Sequence, residues 1–269
     1  MSTSAHTRNG QGFVAGSLIG TLGGLIGLGG AEFRLPVLVG LFRLGTLEAV
    51  ILNKAMSLVV VAAALLFRGA TITPDVLANH LDVVLNLLAG SLVGAWWAAG
   101  HAIKLSPQWL NRIVMALLVG LSLLILWDAW AGLHEGSAPL FEAGPARIVA
   151  GLIAGFGIGM VAALLGVAGG ELLIPTIVLL YGLDIKLAGS LSLMVSLPTM
   201  IVGFVRYSRA NAFAVLKHER PLGVSMAVGS ILGAAVGGLM LGLVPTRLLL
   251  GLLGAILLIS AVKTFQHAH

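Results

Sequence analysis

Eight stretches of this chain contain no Asp, Glu, Lys or Arg: Asn9–Ala31, Ala55–Phe67, Val83–Ile103, Ile113–Trp127, Ile148–Gly170, Leu187–Val205, Pro221–Thr246 and Leu248–Val262. A membrane-spanning helix needs about 20 mainly apolar residues, because the hydrocarbon core is about 30 Å thick and a helix rises about 1.5 Å per residue. Each stretch reaches that length alone or with its flanks. Charged residues are 9% of the chain, against roughly 25% in soluble domains, which is too few to cover a water-facing surface. A soluble enzyme, a disordered chain and a disulfide scaffold are thereby excluded. The runs are unbroken rather than alternating, so a transmembrane barrel is excluded too. The fold class is all-α, a polytopic transmembrane helical bundle. The net charge of +5 comes from loop cations and does not mark a nucleic-acid partner. The chain has no Cys, so no thiolate chemistry is available.

The first apolar run resembles a signal peptide, but its pattern recurs in mid-chain. Shifting the sequence by 139 positions places Gly12, Gly16 and Gly20 on Gly151, Gly155 and Gly159. It also places Glu32 on Glu171, Pro36 on Pro175, and Ser57-Leu58 on Ser196-Leu197. Gly90-Ser91 falls on Gly229-Ser230. Glu and Pro are scarce here, so their coincidence at one offset marks a duplication. The expected organisation is a tail over 1–11, a first repeat over 12–131, a linker over 132–145, and a second repeat over 146–269 that ends in a short tail. Gly132, Gly136, Pro139, Gly144 and Pro145 cluster in that linker.

The core of each copy is glycine-rich: Gly27-Leu28-Gly29-Gly30-Ala31-Glu32 through Pro36, and Gly166-Val167-Ala168-Gly169-Gly170-Glu171 through Pro175. Phe13–Arg43 as one helix would be about 46 Å long, and glycines are poor helix interiors. Two shorter helices are expected instead, over about 13–28 and 31–43, with Pro36 near the start of the second. They form either a re-entrant hairpin or two full spans. With re-entrant hairpins three spans remain per repeat and the repeats are inverted. With full spans the repeats are parallel. Lys and Arg are distributed more asymmetrically in the inverted arrangement, with both termini cytoplasmic. Inverted repeats with broken helices are the plan of many secondary transporters. Helix starts at the breaks present free N–H groups and a partial positive charge, so the site favours an oxyanion.

The doubled Gly-rich/Pro segments, the hydrophobic profile and the length together resemble the sulfite exporter (TauE/SafE) family of membrane permeases. The resemblance implies movement of sulfite, sulfoacetate or another sulfur-containing anion across the cell membrane, with no catalysis and no cofactor. Ala168 stands where the first copy has Gly29, and Ala31 where the second has Gly170. Both substitutions keep the position small.

Charges inside a span are costly and mark function. Arg34, just past the first break, suits a sulfonate through its planar fork. Lys54 lies in the next span beside Asn53 and Ser57, and is expected either in the substrate site or snorkelling to the interface. With Gly29, Gly30, Gly169 and Gly170 these residues form the expected substrate site. Leu173 and Leu193 replace Arg34 and Lys54 in the second half, which is expected to contribute hydroxyls from Ser190, Ser192, Ser196 and Thr199. Glu32 and Glu171 either stabilise helix starts or carry a coupling proton. The Gly-Ser-x-x-Gly-Ala runs are expected to pack helices closely. The seven His show no ligand spacing, so no metal site is expected. The expected partners are a small anion and the lipid bilayer, with a homodimer open. An anion channel and a proton-coupled carboxylate transporter are the competing functions. An enzyme is disfavoured, since no His or Cys nucleophile accompanies the Glu pair and no nucleotide motif is present.

Overall fold

Two glycine-broken hairpins organise the molecule. The structure, a computed structural model, describes residues 2–26, 30–69, 78–131, 139–208 and 212–239, and all but 253 and 260 between 251 and 262. Gly29 and residues 132–138 of the expected linker lie outside these. Among the described residues the chain is helical without strands. The helices are α1 Ser2–Ile26, α2 Ala31–Gly40, α3 Thr46–Gly69, α4 Leu81–Ala102 and α5 Pro107–Ala131. They continue as α6 Pro145–Leu165, α7 Gly170–Tyr181, α8 Ile185–Ser208, α9 Ala212–His218 and α10 Arg220–Leu239, with further helical residues between 251 and 262. Five of these helices are long and apolar enough to cross a membrane by length and composition, and large apolar side chains such as Leu18, Val93, Ile153 and Ile259 are exposed on the outer surface. The chain is a multi-pass membrane protein.

The offset of 139 holds in three dimensions. α2 and α7 start at 31 and 170, α3 and α8 at 46 and 185, α4 and α10 at 81 and 220, each pair differing by 139. Packing repeats as well. On α1, Gly16 and Gly20 press against the backbone of Met226 and Ser230 on α10. On α6, Gly155 and Gly159 press against Leu87 and Ser91 on α4. A methyl group at any of the four would collide with the facing carbonyl. Contacts advance by four residues on both helices, so each pair runs parallel, held by close small-residue packing. The first helix of each repeat thus packs on a helix of the other repeat.

The expected half-length first helices are corrected. α1 begins at Ser2, within the expected tail, and α6 has 21 residues. Only the second arm of each hairpin is short, with 10 and 12 residues in α2 and α7. The turn between the arms folds back on the long one. A Cβ on Gly30 would lie 2.6 Å from the Ile19 carbonyl, and one on Gly169 would lie 3.2 Å from the Ile158 side chain. These glycines have φ of 67° and 79°, a left-handed conformation that a side chain would strain. Each short helix then returns to where its long partner began: Arg147 lies 5.3 Å from the Tyr181 ring, and Arg8 lies 6.0 Å from the Phe42 ring. Each hairpin therefore opens at one end.

Pro36 and Pro175 are each the sixth residue of their short helix. That is past the free N–H groups of the first turn, so each proline removes one helical bond. The acceptors left without it are the carbonyls of Glu32 and Glu171, four residues earlier.

Candidate anion site

The two breaks meet at the third helix of the first repeat. Asn53 on α3 donates from Nδ2 to the Ala31 carbonyl at 2.9 Å and to the Leu165 carbonyl at 3.1 Å. One amide thus ties the start of α2 to the end of α6. Gly166 packs against the Val50 carbonyl and the Lys54 backbone nitrogen, leaving no room for a side chain at that turn.

Arg34, the fourth residue of α2, is 0% exposed. Its Nη2 donates to Ser57 Oγ at 2.6 Å and its Nη1 to Ser230 Oγ at 3.5 Å, while Nε has no partner. No carboxylate among the described residues lies within ion-pair distance of it. A guanidinium carries five N–H donors and no acceptor, and the two hydrogen bonds to serine use only two of them. Lys54 is also 0% exposed. Its Nζ donates to the Ala162 carbonyl at 3.1 Å, near the end of α6, where a helix C-terminus favours a cation. Lys54 therefore does not snorkel. It crosses to the other repeat, and a Cβ on Gly203 of α8 would lie 3.0 Å from its Nζ.

Glu32 and Glu171 open the two short helices and are both buried, near enough to interact electrostatically. No side chain of another described residue donates to either carboxyl.

Of the sequence candidates, the structure brings together Glu32, Arg34, Ser57 and Glu171; Asn53 ties the two breaks and Lys54 reaches from the same helix to Ala162, with Gly30, Gly169 and Gly170 buried at the two breaks. Gly29 lies outside the described residues. The hydroxyls of the second half behave differently from one another. Ser192 donates to the Gly189 carbonyl of its own helix at 2.8 Å, and Thr199 pairs with Ser91 at 2.8 Å. Ser196 is fully buried with its Oγ unpartnered. Ser190 is also buried. The hydroxyl that the second repeat presents to Arg34 is Ser230, which the sequence reading placed in a packing run. The available signal was a Ser in the apolar run Pro221–Thr246 at the position matching Ser91. No group of three or more His, Asp or Glu that could hold a metal occurs among the described residues.

Placing one Arg or Lys at the centre of a membrane helix costs about 2.5–3.5 kcal/mol by insertion scales. Two such residues cost about 5–7 kcal/mol, comparable to the whole net stability of a typical domain. Neither forms an ion pair among the described residues, although Glu32 and Glu171 lie close enough to Arg34 to interact with it electrostatically. The cluster is closed to solvent in this conformation: Asn53, Lys54 and Ser57 are at most 1% exposed.

No curated protein matches the chain, and no solved structure does. The family described as Sulfite exporter TauE/SafE matches over residues 12–264, nearly the whole length. The chain belongs to the sulfite exporter TauE/SafE family.

Proposed function

We propose that the chain is a secondary transporter that carries sulfite, sulfoacetate or a related organosulfonate across the cell membrane by alternating access. Family membership already makes it a membrane permease for anionic sulfur compounds rather than an enzyme. The observation that carries the finer reading is Arg34: a fully buried guanidinium near the two broken helices, whose hydrogen bonds among the described residues go to two serine hydroxyls. A sulfonate or sulfite offers oxygens that match its fork. Lys54 adds a second positive charge, and Glu32 and Glu171 keep the pocket from holding its anion too tightly.

The repeats are read as inverted. The second hairpin opens at Arg147 and Tyr181, and α8, about 36 Å long, carries the chain away from that end. α10 starts at the end so reached, where Glu219 meets Arg8 at the first hairpin's mouth at 2.9 Å. The hairpins thus open at opposite ends, with the breaks between them. The first mouth gathers Arg8, Arg43, Lys217 and Arg220, which assigns it to the cytoplasmic face. Rocking of one repeat against the other would expose the breaks alternately. A homodimer remains part of the proposal.

The nearness of Glu32 to Glu171 favours one refinement, coupling to a proton. Two nearby carboxyls repel when both are ionised, whereas one proton shared between them forms a hydrogen bond. This would also serve a carboxylate substrate.

Labelled sulfite and sulfoacetate counterflow in proteoliposomes tests the function. Saturable counterflow, lost in Arg34→Ala, is expected. Flux that never saturates would make the protein a channel, and identical flux in Arg34→Ala would remove the site.

A further inference from the structure

The two hairpin mouths carry the same arginine–aromatic pair and differ in what faces it. Arg8 over Phe42 and Arg147 over Tyr181 are related by the repeat, since 147 − 8 and 181 − 42 both equal 139. At the first mouth the arginine is neutralised. Arg8 Nη2 lies 2.9 Å from a Glu219 carboxylate oxygen, and that side chain is 8% exposed. At the second mouth the position matching Glu219 is His80, and no described carboxylate lies within ion-pair distance of Arg147. A cavity of about 420 Å³ lies there instead, lined by Asp82, Asn86, Gly144, Arg147, Leu152 and Tyr181 among others. The aromatic has also changed from Phe to Tyr. The Tyr181 hydroxyl accepts from Asn86 Nδ2 at 2.8 Å, so its own proton remains for another acceptor.

We infer that this cavity is a second anion site, at the mouth of the second hairpin, where Arg147 and the Tyr181 hydroxyl hold a small sulfur oxyanion on its way to or from the buried cluster. Glu219 supplies the corresponding negative charge at the closed mouth. The inference rests on the permease reading for the identity of the anion, but not on Arg34. Tyr181 is eleven residues along α7 from Gly170, about 16 Å, so the two sites are separate. Asp82 lines the cavity, is exposed, and is not ion-paired with Arg147. Its charge weakens the site, which suits a station that must release what it captures.

Equilibrium binding of labelled sulfite to the purified full chain tests this. Wild type is expected to bind in two classes. Arg34→Ala removes the tight class and leaves the weak one, whereas Arg147→Gln removes the weak one alone. Asp82→Asn tightens the weak class about three-fold or more, and Tyr181→Phe, which keeps the ring, weakens it by a similar factor. In sided vesicles Arg147→Gln raises half-saturation about ten-fold from the second hairpin's face only. A binding curve for Arg147→Gln that superimposes on wild type overturns the inference, as does an equal loss of rate from both faces. Loss of the weak class in Arg147→Gln with no effect of Arg34→Ala would keep this site and overturn the central one.

Discussion

The two repeats share a backbone plan and divide the chemistry unequally. Helix starts, left-handed glycines at the breaks, prolines at the sixth position and glycine contacts all recur at one offset. Yet where the first repeat has Arg34 the second has Leu173, which lies in an apolar cluster with Leu87, Ile177, Leu191 and Val195. Where the first has Lys54 the second has Leu193, packed beside Val61, Ala168 and Met200. One copy supplies the cations. The other supplies a carbonyl and a hydroxyl that receive them, Ala162 for Lys54 and Ser230 for Arg34. The duplication therefore builds a symmetric frame around an asymmetric site, since doubling the cations would double a penalty of several kcal/mol.

Placing the first repeat's cation in the second should have the largest effect. Leu173→Arg puts a guanidinium into an apolar cluster with no acceptor, an uncompensated charge costing several kcal/mol. The variant should aggregate or melt well below wild type, as read by size exclusion and thermal unfolding in detergent. The reverse change, Arg34→Leu, makes the first repeat resemble the second. It should keep a folded monodisperse protein and lower sulfite counterflow at least about 100-fold, the loss of a charge-assisted contact of about 3 kcal/mol. Lys54→Leu completes the imitation and should lower counterflow about ten-fold or more, since its cation is held at one carbonyl. Glu171→Gln removes one member of a carboxyl pair to which both repeats contribute the same residue. Counterflow should survive, while the response of uptake to an imposed pH gradient should vanish. An unchanged response would assign the pair to helix starts instead. Ser230→Ala should have the smallest effect, raising half-saturation about three- to ten-fold for one weakened hydrogen bond of about 1 kcal/mol.

Much of this was legible in the sequence because membrane chains use charge sparingly. Arg34 and Lys54 stand out against long uncharged runs, and Glu32 matched with Glu171 showed that two helix starts were equivalent. What the sequence withheld depends on which helices face each other. Ser230 and Ser91 are equivalent by offset, but only one faces a guanidinium, because only one repeat has it. Whether Lys54 snorkels depends on the Ala162 carbonyl of the other repeat, 108 residues away in sequence. In the sequence, Arg8 and the polar residues before it read as a tail ahead of a helix that starts near 13. They form its first turns, where Arg8 meets Phe42 and Glu219. The contrast between the mouths was equally hidden, since His80 replaces Glu219 at a position whose partner lies in another helix.

The central claim is that the buried junction of the two breaks opens to each face in turn and holds an anion at Arg34. The chain has no native cysteine, so a single Ser230→Cys reports on that junction directly. Labelling by a membrane-impermeant thiol reagent applied to either face of sealed vesicles should occur from both sides and be slowed several-fold by sulfoacetate. Labelling from neither face, or labelling at a rate that sulfoacetate leaves unchanged, would contradict the account.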